Sequence, residues 1–407
     1  MPRVHTRRRF PSVREASHYI PKGNTVKLKN VAAVGAIALV SALALSACSS
    51  DNGNDKGGST DTKTSAAADG GTVDSSLSGT ITAGGSSAQK NAQAAWTTAF
   101  NAQASGVKVN YDSSQGSGGG VTNWLGGSYD FAGTDAALKP DQFTQAQTTC
   151  GADGGINLPV YLSGVGIVYN IQGVSKLNLT GDLLAKIFSS KITKWNDPAI
   201  AAVNSGTTLP DTAITVVRRS DGSGTTANFT TYLNQVAPSV WTSAPGTAWP
   251  TIPGDKSSGQ QGGSGVVTAV KAGNGAIGYA DQSSANGAAL ASIQVGTSGS
   301  NFSAYSAAGA TTAFDEAAQA APQGDGDLTK SLDYTKITDT SAYPIPLLSY
   351  AVVCKTFKDA TQGKLAKAYI GFIGSSVGQQ VAEKNANAAA LPQSTIDEIA
   401  KSVAEIK

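Results

Sequence analysis

Three segments of the chain share one design, in which an apolar, strand-like run leads into glycine and serine and then into a helical pattern. These turns occupy residues 83–87 (AGGSS), 115–120 (QGSGGG) and 218–225 (RRSDGSGT). Strands that alternate with helices predict parallel sheets with helices on both faces. Ligands of such sheets bind beyond the carboxyl ends of the strands. The pattern therefore predicts an α/β fold with all three turns at the position of a ligand site.

The chemistry of these turns suits a small oxyanion. Each turn offers backbone N–H groups at the start of a helix, where the helix dipole adds positive potential. Glycine lets an anion approach the backbone closely, and hydroxyl groups add donors beside the amides. The first two turns are weak indications on their own, since such turns are usually only turns. The third is stronger, because Arg219 supplies a charged fork suited to an oxyanion.

The same patterns give a coarse order of elements. Strands are predicted at 80–83, 107–111, 129–131, 159–169, 214–217, 277–280 and 345–353. Helices are predicted from the first turn to Phe100 and at 121–125, 181–188, 225–236, 364–373 and 395–406, with Thr180 as a candidate cap. Residues 283–340 are rich in Ala, Ser and Thr and too weakly patterned for any element to be predicted.

An export signal precedes these elements. Lys27 and Lys29 are followed by an apolar run at 31–44, which is typical of a signal peptide and short for a membrane span. The run ends in Leu-Ser-Ala before Cys48, which resembles the lipobox of bacterial lipoproteins, where the cysteine receives a diacylglyceryl group and becomes the new N-terminus. The alternative is a plain secretory leader with an incidental cysteine.

The first 25 residues fit this leader poorly. Residues 6–10 (TRRRF) resemble a twin-arginine motif, but mostly polar residues separate them from the apolar run. The favoured alternative is that translation begins near Val26. We predict a leader at 1–47 and, since residues 49–75 are almost free of apolar side chains, a flexible lipid-anchored tether at 48–75.

The charge balance and the histidines exclude several functions. Residues 1–47 hold eight Lys or Arg and one acid, and the rest of the chain carries 22 basic and 27 acidic residues. No basic patch indicates a nucleic-acid partner, so an anion site must be built from local donors. Both histidines, His5 and His18, precede Cys48. Ser-His-Asp and Cys-His catalysis and His-ligated zinc are therefore excluded after removal of the leader.

The cysteines agree with export. If Cys48 is lipidated, Cys150 and Cys354 remain. Two thiols in an oxidising compartment most often form a disulfide, and the alternative is two separate buried thiols.

A family resemblance is carried by several separated motifs. Residues 216–226 (VVRRSDGSGTT) are the strongest, and the resemblance runs in order from about Gly79 to Pro392. The supporting stretches are 109–111, 130–135, 192–197 and 275–279. The sequence is similar to the phosphate-binding component of the bacterial high-affinity phosphate ABC transporter, the PstS type.

The resemblance implies a two-lobed periplasmic-binding-protein fold of type II, with the ligand cleft between the lobes. Lobe one would comprise 76–160 with 347–407, and lobe two 161–346. The implied function is capture of inorganic phosphate at the extracytoplasmic face of the bacterial cell membrane and delivery to ABC permease subunits. The protein would be a lipid-anchored monomer, would need no cofactor or metal, and would not be an enzyme.

The ligand contacts follow from the resemblance, residue by residue. The implied phosphate ligands are Ser86 through hydroxyl and amide, Ser87 through its amide, Ser117 through its hydroxyl, Arg219 through its guanidinium, and Ser223, Gly224 and Thr225 through donors of the third turn. Asp221 would hold the Arg219 guanidinium in place. The family often has a bulkier apolar residue where Ser87 stands, so that contact is assigned to the backbone.

Asp135 is the most discriminating of these residues. A carboxylate beside an anion is favourable if the anion carries a proton that it can donate. Hydrogen phosphate has such a proton, and sulfate would instead set two anionic oxygens against each other in a desolvated site. The alternative is that Asp135 is a helix cap or a surface acid.

Three other functions stay open. A secreted phosphatase could use the same cradle for a phosphoryl group, although it would lack histidine, a Walker-type run and a clustered acidic metal site. A binding protein could be built for sulfate, molybdate or another oxyanion. A surface adhesion or signalling module could retain the fold without transport.

Overall fold

The computed structural model describes residues 71–407. The predicted leader, Cys48 and most of the predicted tether lie outside the described residues. Among residues 71–407, no helix has both the length and the apolar character needed to cross a membrane.

Strands and helices alternate through most of the chain. The strands are β1 (Ser78–Gly85), β2 (Gly106–Asp112), β3 (Phe131–Thr134), β4 (Gly155–Asn170), β5 (Asn178–Leu179), β6 (Thr215–Arg219), β7 (Ser258–Gln260), β8 (Ala276–Asp281), β9 (Ala289–Leu290), β10 (Ser292–Gln294), β11 (Phe302–Ser303), β12 (Ala318–Ala320), β13 (Lys330–Leu332) and β14 (Pro346–Cys354). The helices are α1 (Lys90–Asn101), α2 (Gly116–Leu125), α3 (Pro140–Cys150), α4 (Gly181–Phe188), α5 (Pro198–Ala202), α6 (Gly224–Val236), α7 (Gly262–Ala272), α8 (Ala307–Ala317), α9 (Ala360–Gly374), α10 (Ser376–Ala386) and α11 (Gln393–Ala404). The predicted α/β class is confirmed.

The main sheet has the strand order β2-β1-β3-β14-β4-β8-β6-β7, and β9 also pairs with β4. Its flanks are parallel, since β1 runs parallel to β2 and β3, and β6 runs parallel to β7 and β8. Its centre is antiparallel, because β14 runs against both β3 and β4, and β4 against β8. The alternation of elements predicted the flanks but did not indicate the antiparallel centre.

The long strand β4 links the two parallel flanks and is buried along nearly its whole length. It pairs with β14 from Gly155 to Gly164 and with β8 from Val165 to Asn170. A chain that crosses from one lobe to the other would do so at such a point, where one strand changes its pairing partner. The family resemblance puts the boundary between the lobes slightly earlier, between residues 160 and 161, and the lobe boundaries stay a prediction.

A disulfide joins Cys150 at the end of α3 to Cys354 at the end of β14, with the Cα atoms 5.2 Å apart. The two cysteines are separated by 204 residues in the sequence. The bond therefore closes most of the described chain into one covalent loop.

Reduction of this disulfide is expected to lower the free energy of unfolding by about 3–5 kcal/mol, because a long loop loses most entropy in the unfolded state when it is closed. Urea unfolding with and without reductant measures the difference. The double variant Cys150→Ser with Cys354→Ser should match the reduced protein. An unfolding midpoint that reductant leaves unchanged contradicts the prediction.

Candidate functional site

The three glycine-rich turns converge at the carboxyl ends of β1, β3 and β6. Gly85 has a φ of 130°, and a Cβ there would collide with the carbonyl of Gly133. A Cβ on Gly120 would collide with Gly85, so α2 packs directly on the end of β1. The backbone N–H of Gly118 donates to the carbonyl of Gly222 over 2.8 Å. The glycines of the first two turns are thus needed for the close approach of backbone to backbone.

Asp135 lies at the centre of this convergence, directly after β3, and its side chain is only 4% exposed. Its Oδ1 accepts hydrogen bonds from the hydroxyls of Ser86 and Ser349, the latter over 2.7 Å. Its Oδ2 accepts from the Thr225 hydroxyl over 3.1 Å. Burial raises the pKa of Asp135 above its ordinary value, while the three hydroxyl donors and Arg219 oppose the shift. Asp135 is therefore neither a surface acid nor a helix cap.

Ser117 and the start of α6 enclose the other side of Asp135. The backbone N–H of Asp135 donates to the Ser117 hydroxyl over 3.2 Å, and the Asn228 amide donates to the Asp135 carbonyl over 2.6 Å. A Cβ on Gly224 would lie 2.7 Å from the Ser117 hydroxyl and 2.6 Å from the Asp135 Cβ. Glycine at position 224 is therefore required for α6 to begin against the second turn.

Arg219, at the end of β6, is 2% exposed. Its Nε donates to Oδ1 of Asp221 over 2.7 Å, and its Nη2 donates to Oδ2 of the same carboxylate. Burial by itself would raise the pKa of Asp221, but the Arg219 guanidinium outweighs that effect and the pKa lies below its ordinary value. Nη1 of Arg219 donates to no protein atom among residues 71–407, so the guanidinium keeps donors for a ligand.

The neighbouring arginine is oriented differently. Arg218 donates from Nε to the Ser257 hydroxyl over 2.9 Å and from Nη1 to the carbonyl of Arg219 over 3.0 Å. Its side chain is 27% exposed. Alternation along β6 sends the two side chains to opposite faces, so only Arg219 lies in the site.

The third turn caps α6. The Ser223 hydroxyl accepts from the backbone N–H of Thr226 over 3.1 Å, and the Ser223 backbone N–H donates to the carbonyl of Thr247 over 2.8 Å. The backbone N–H groups of Gly224 and Thr225 belong to the first turn of α6, where no carbonyl within the helix can accept them. Ser223 therefore has only its hydroxyl proton to offer a ligand, while Gly224 and Thr225 have their amides.

The first turn departs from the expectation at Ser86. Its backbone N–H donates to the carbonyl of Gly133 over 2.7 Å, because the parallel pairing of Gly85 with Gly133 uses the N–H of the following residue. The amide predicted as a ligand donor is thus already bonded. The hydroxyl of Ser87 accepts a long hydrogen bond of 3.4 Å from the N–H of Gly263.

Asp281 is a second buried carboxylate that the sequence reasoning missed, and it is 1% exposed at the end of β8. Its Oδ2 accepts from the backbone N–H and the hydroxyl of Ser283, over 2.9 and 2.6 Å. Ser283 in turn contacts the start of α1, where Asn91 donates to its carbonyl over 3.2 Å. Burial raises the pKa of Asp281 to about 6. Its place directly after the predicted strand at 277–280 was the available signal.

Asp281→Asn is expected to flatten the pH dependence of stability. An aspartate with an ordinary value of 3.8 and a folded-state pKa of about 6 binds more protons in the folded state between these values. The free energy of unfolding therefore falls as the pH rises through this window, and the loss is complete above it. Relative to the wild type, the variant should gain about 3 kcal/mol in free energy of unfolding between pH 3.5 and pH 7.5. Urea unfolding in buffers free of phosphate and sulfate measures this, and a constant difference contradicts it.

Residues 71–407 contain no group of three or more His, Cys, Asp or Glu side chains arranged to hold a metal ion. The described arrangement is instead a set of neutral donors and one guanidinium around the Asp135 carboxylate. Such a set can hold a small oxyanion by hydrogen bonds.

Comparison with known proteins agrees with this geometry. A family profile described as "PBP superfamily domain" matches residues 64–377. The phosphate-binding protein PstS 3 of Mycobacterium leprae is 35% identical over 347 residues, which is 85% of this chain and 90% of that protein. The chain belongs to the PstS family of the PBP superfamily. PstS 3 of Mycobacterium tuberculosis is 36% identical over 349 residues, with the same shares of the two chains.

The solved structures show the fold of this family. A high-affinity periplasmic phosphate-binding protein, PfluDING, solved with phosphate bound, superposes with a TM-score of 0.62 at 23% identity. The superposition covers 78% of this chain and 92% of that one. The predicted two-lobed periplasmic-binding-protein fold is thereby confirmed.

Proposed function

We propose that the protein captures inorganic phosphate outside the cytoplasm and delivers it to an ABC permease, without a chemical step. The observation that carries this proposal is the buried Asp135 carboxylate inside a cradle of hydroxyl and amide donors, with the Arg219 guanidinium nearby. The names of the PstS relatives support phosphate as the ligand.

The carboxylate makes the cradle selective. Hydrogen phosphate can donate its proton to Asp135 and accept from the surrounding donors with its other oxygens. Fully ionised sulfate has no proton to donate, and its oxygens would repel the carboxylate in a site from which water is excluded. A cradle without an acid would bind both anions.

The proposed ligand set takes two residues from the first turn, one from the second and four from the third, together with Asp135. It comprises Ser86, Ser87, Ser117, Asp135, Arg219, Ser223, Gly224 and Thr225, with Asp221 as the support of Arg219. Ser86 belongs to this set as a residue that holds the Asp135 carboxylate, since its amide is bonded to Gly133 and its hydroxyl donates to Oδ1 of Asp135.

Binding would close the two lobes, with lobe one formed by 76–160 and 347–407 and lobe two by 161–346. Several hydrogen bonds join these proposed lobes, among them those from Thr225 to Asp135 and from Gly118 to Gly222. Phosphate would add donors from both sides to one ligand, and a ligand that contacts both lobes favours the closed form. The permease would recognise that form of the monomer.

Calorimetric titration of the purified protein with phosphate and with sulfate tests the proposal. We expect saturable binding of one phosphate and no competition by equimolar sulfate. Tighter binding of sulfate or molybdate would overturn the phosphate assignment. Steady release of phosphate from p-nitrophenyl phosphate would overturn the absence of a chemical step.

The proposed location is the outer face of the bacterial cell membrane, with a diacylglyceryl anchor on Cys48. The motif Leu-Ser-Ala-Cys behind the apolar run at 31–44 supports this. Cys48→Ala should release the protein from the membrane fraction or block removal of the leader. Mass spectrometry that finds an unmodified Cys48 on the processed wild type contradicts the anchor.

A further inference from the structure

Ser349 contacts the Asp135 carboxylate from β14, a strand about 200 residues away in the sequence, and its side chain is fully buried. The pairing of β14 with β4 shifts register between Ser349 and Tyr350. Such an irregularity re-aims a side chain at the point where it occurs. The Ser349 hydroxyl lies 2.7 Å from Oδ1 of Asp135.

The direction of this hydrogen bond is set by a buried chain of amides. Nε2 of Gln89 lies 2.7 Å from the Ser349 hydroxyl and 3.0 Å from the carbonyl of Tyr350. Only the nitrogen of the Gln89 amide can face that carbonyl, because its oxygen would be repelled. The Gln89 oxygen accepts from the amide of Gln93, whose own oxygen accepts from the Tyr369 hydroxyl. Ser349 therefore accepts from Gln89, and its single proton is left for Asp135.

The direction of the Ser86 hydroxyl proton is set in the same way. Its hydroxyl oxygen accepts from the backbone N–H of Ala88 over 3.1 Å, so its proton is also directed to Oδ1 of Asp135. Oδ1 thus accepts from two donors of fixed direction. Oδ2 accepts only from the Thr225 hydroxyl, over 3.1 Å, among the residues that the structure describes.

We propose that Ser349, oriented by Gln89, is a positioning residue that occupies Oδ1 of Asp135 and so presents Oδ2 as the acceptor for the proton of the bound anion. This inference rests on the proposed function. It assigns part of the discrimination between phosphate and sulfate to a hydroxyl on β14 that belongs to none of the three turns.

Ser349→Ala removes one of the two donors that hold Oδ1. The Asp135 side chain can then rotate, and its carboxylate is less favoured over the neutral acid. We expect the ratio of phosphate to sulfate affinity to fall by about 10-fold or more at pH 7.5, the scale of one hydrogen bond to a charged group. As the pH is lowered, the affinity ratio of the variant should also begin to fall at a higher pH than that of the wild type, because its Asp135 is protonated more easily.

Two matched variants separate positioning from packing. Ser349→Thr keeps the hydroxyl and should restore the wild-type ratio. Ser163→Ala removes an equally buried hydroxyl from β4, opposite Leu347 of β14. The Ser163 hydroxyl has no hydrogen-bond partner among residues 71–407, so this variant should keep the wild-type ratio.

Gln89→Glu independently tests the direction of the hydrogen bonds from Gln89 through Ser349 to Asp135. It also provides a test if Ser349→Ala does not fold. A carboxylate at this position cannot donate, so the Ser349 proton would turn toward it and away from Asp135. The affinity ratio should fall in this variant as well.

Calorimetric competition of phosphate and sulfate on the full protein gives the result. A lowered ratio in Ser349→Ala or Gln89→Glu, with the ratio retained in Ser163→Ala, supports the inference. A ratio within two-fold of wild type in a folded Ser349→Ala or Gln89→Glu, or an equal loss for both anions, overturns it. If the wild type binds no phosphate, the proposed function itself fails, which the same titration distinguishes.

Discussion

Asp135→Asn is expected to reduce the ratio of phosphate to sulfate affinity by about three orders of magnitude. The amide can turn its oxygen to the phosphate proton or donate to an anionic oxygen, so phosphate binding should weaken only modestly. Sulfate should bind more tightly, because the carboxylate that repels it has been removed. Titration of both anions into wild type and variant at one pH and one salt concentration measures the ratio.

Asp130→Asn is the matched control for this substitution. Asp130 directly precedes β3 and accepts a hydrogen bond of 2.7 Å from the backbone N–H of Thr82, away from the site. Its neutralisation removes the same charge from the same part of the chain and should leave the affinity ratio unchanged. An unchanged ratio in a folded Asp135→Asn protein rules out the role of Asp135 as proton acceptor.

Arg219→Ala is expected to weaken phosphate binding by about 2–5 kcal/mol, the scale for breaking a buried charge-assisted pair. The loss has two sources. The guanidinium donors to the anion disappear, and the buried carboxylate of Asp221, which now accepts from Nε and Nη2, is left as an uncompensated negative charge near the ligand. Calorimetric titration with phosphate measures the change in affinity.

Arg218→Ala is the control, because its side chain bonds to Ser257 and to the Arg219 carbonyl on the other face of β6. It should change phosphate affinity by less than about 1 kcal/mol, as expected for a partly exposed charge outside the contact. Equal losses from the two alanine variants would show that the wrong arginine has been assigned to the ligand.

Features that depend on neighbours in the sequence could be predicted. The helix at 181–188 has the predicted bounds, and the Thr180 hydroxyl caps it by accepting from the N–H of Leu183 over 3.1 Å. The turn at 218–225 opens a helix, which begins at Gly224 rather than at the predicted residue 225. Caps, turns and helical periodicity act within one or two turns of chain, so the local sequence determines them.

Predictions failed where pairing partners lie far apart. The third strand was predicted at 129–131 and forms at Phe131–Thr134, because β1 and β14 pair with that segment from both sides. The stretch 283–340 gave no pattern, yet it contains α8 and five short strands. A short strand of Ala, Ser and Thr forms because it pairs with a neighbouring strand, and its own sequence does not show which strand that is.

The sequence by itself determined the α/β class, the three donor-rich turns, the acid at Asp135, the Arg219 fork and the absence of histidine after Cys48. Only the tertiary structure decided that the Ser86 amide donates to Gly133, that Asp281 is buried, and that Ser349 contacts both Asp135 and Gln89. These contacts join residues between about 50 and 260 positions apart. They depend on the register of β14 and β3 in the sheet and on the packing of the start of α1. A shift of β14 by one residue would turn Ser349 to the opposite face.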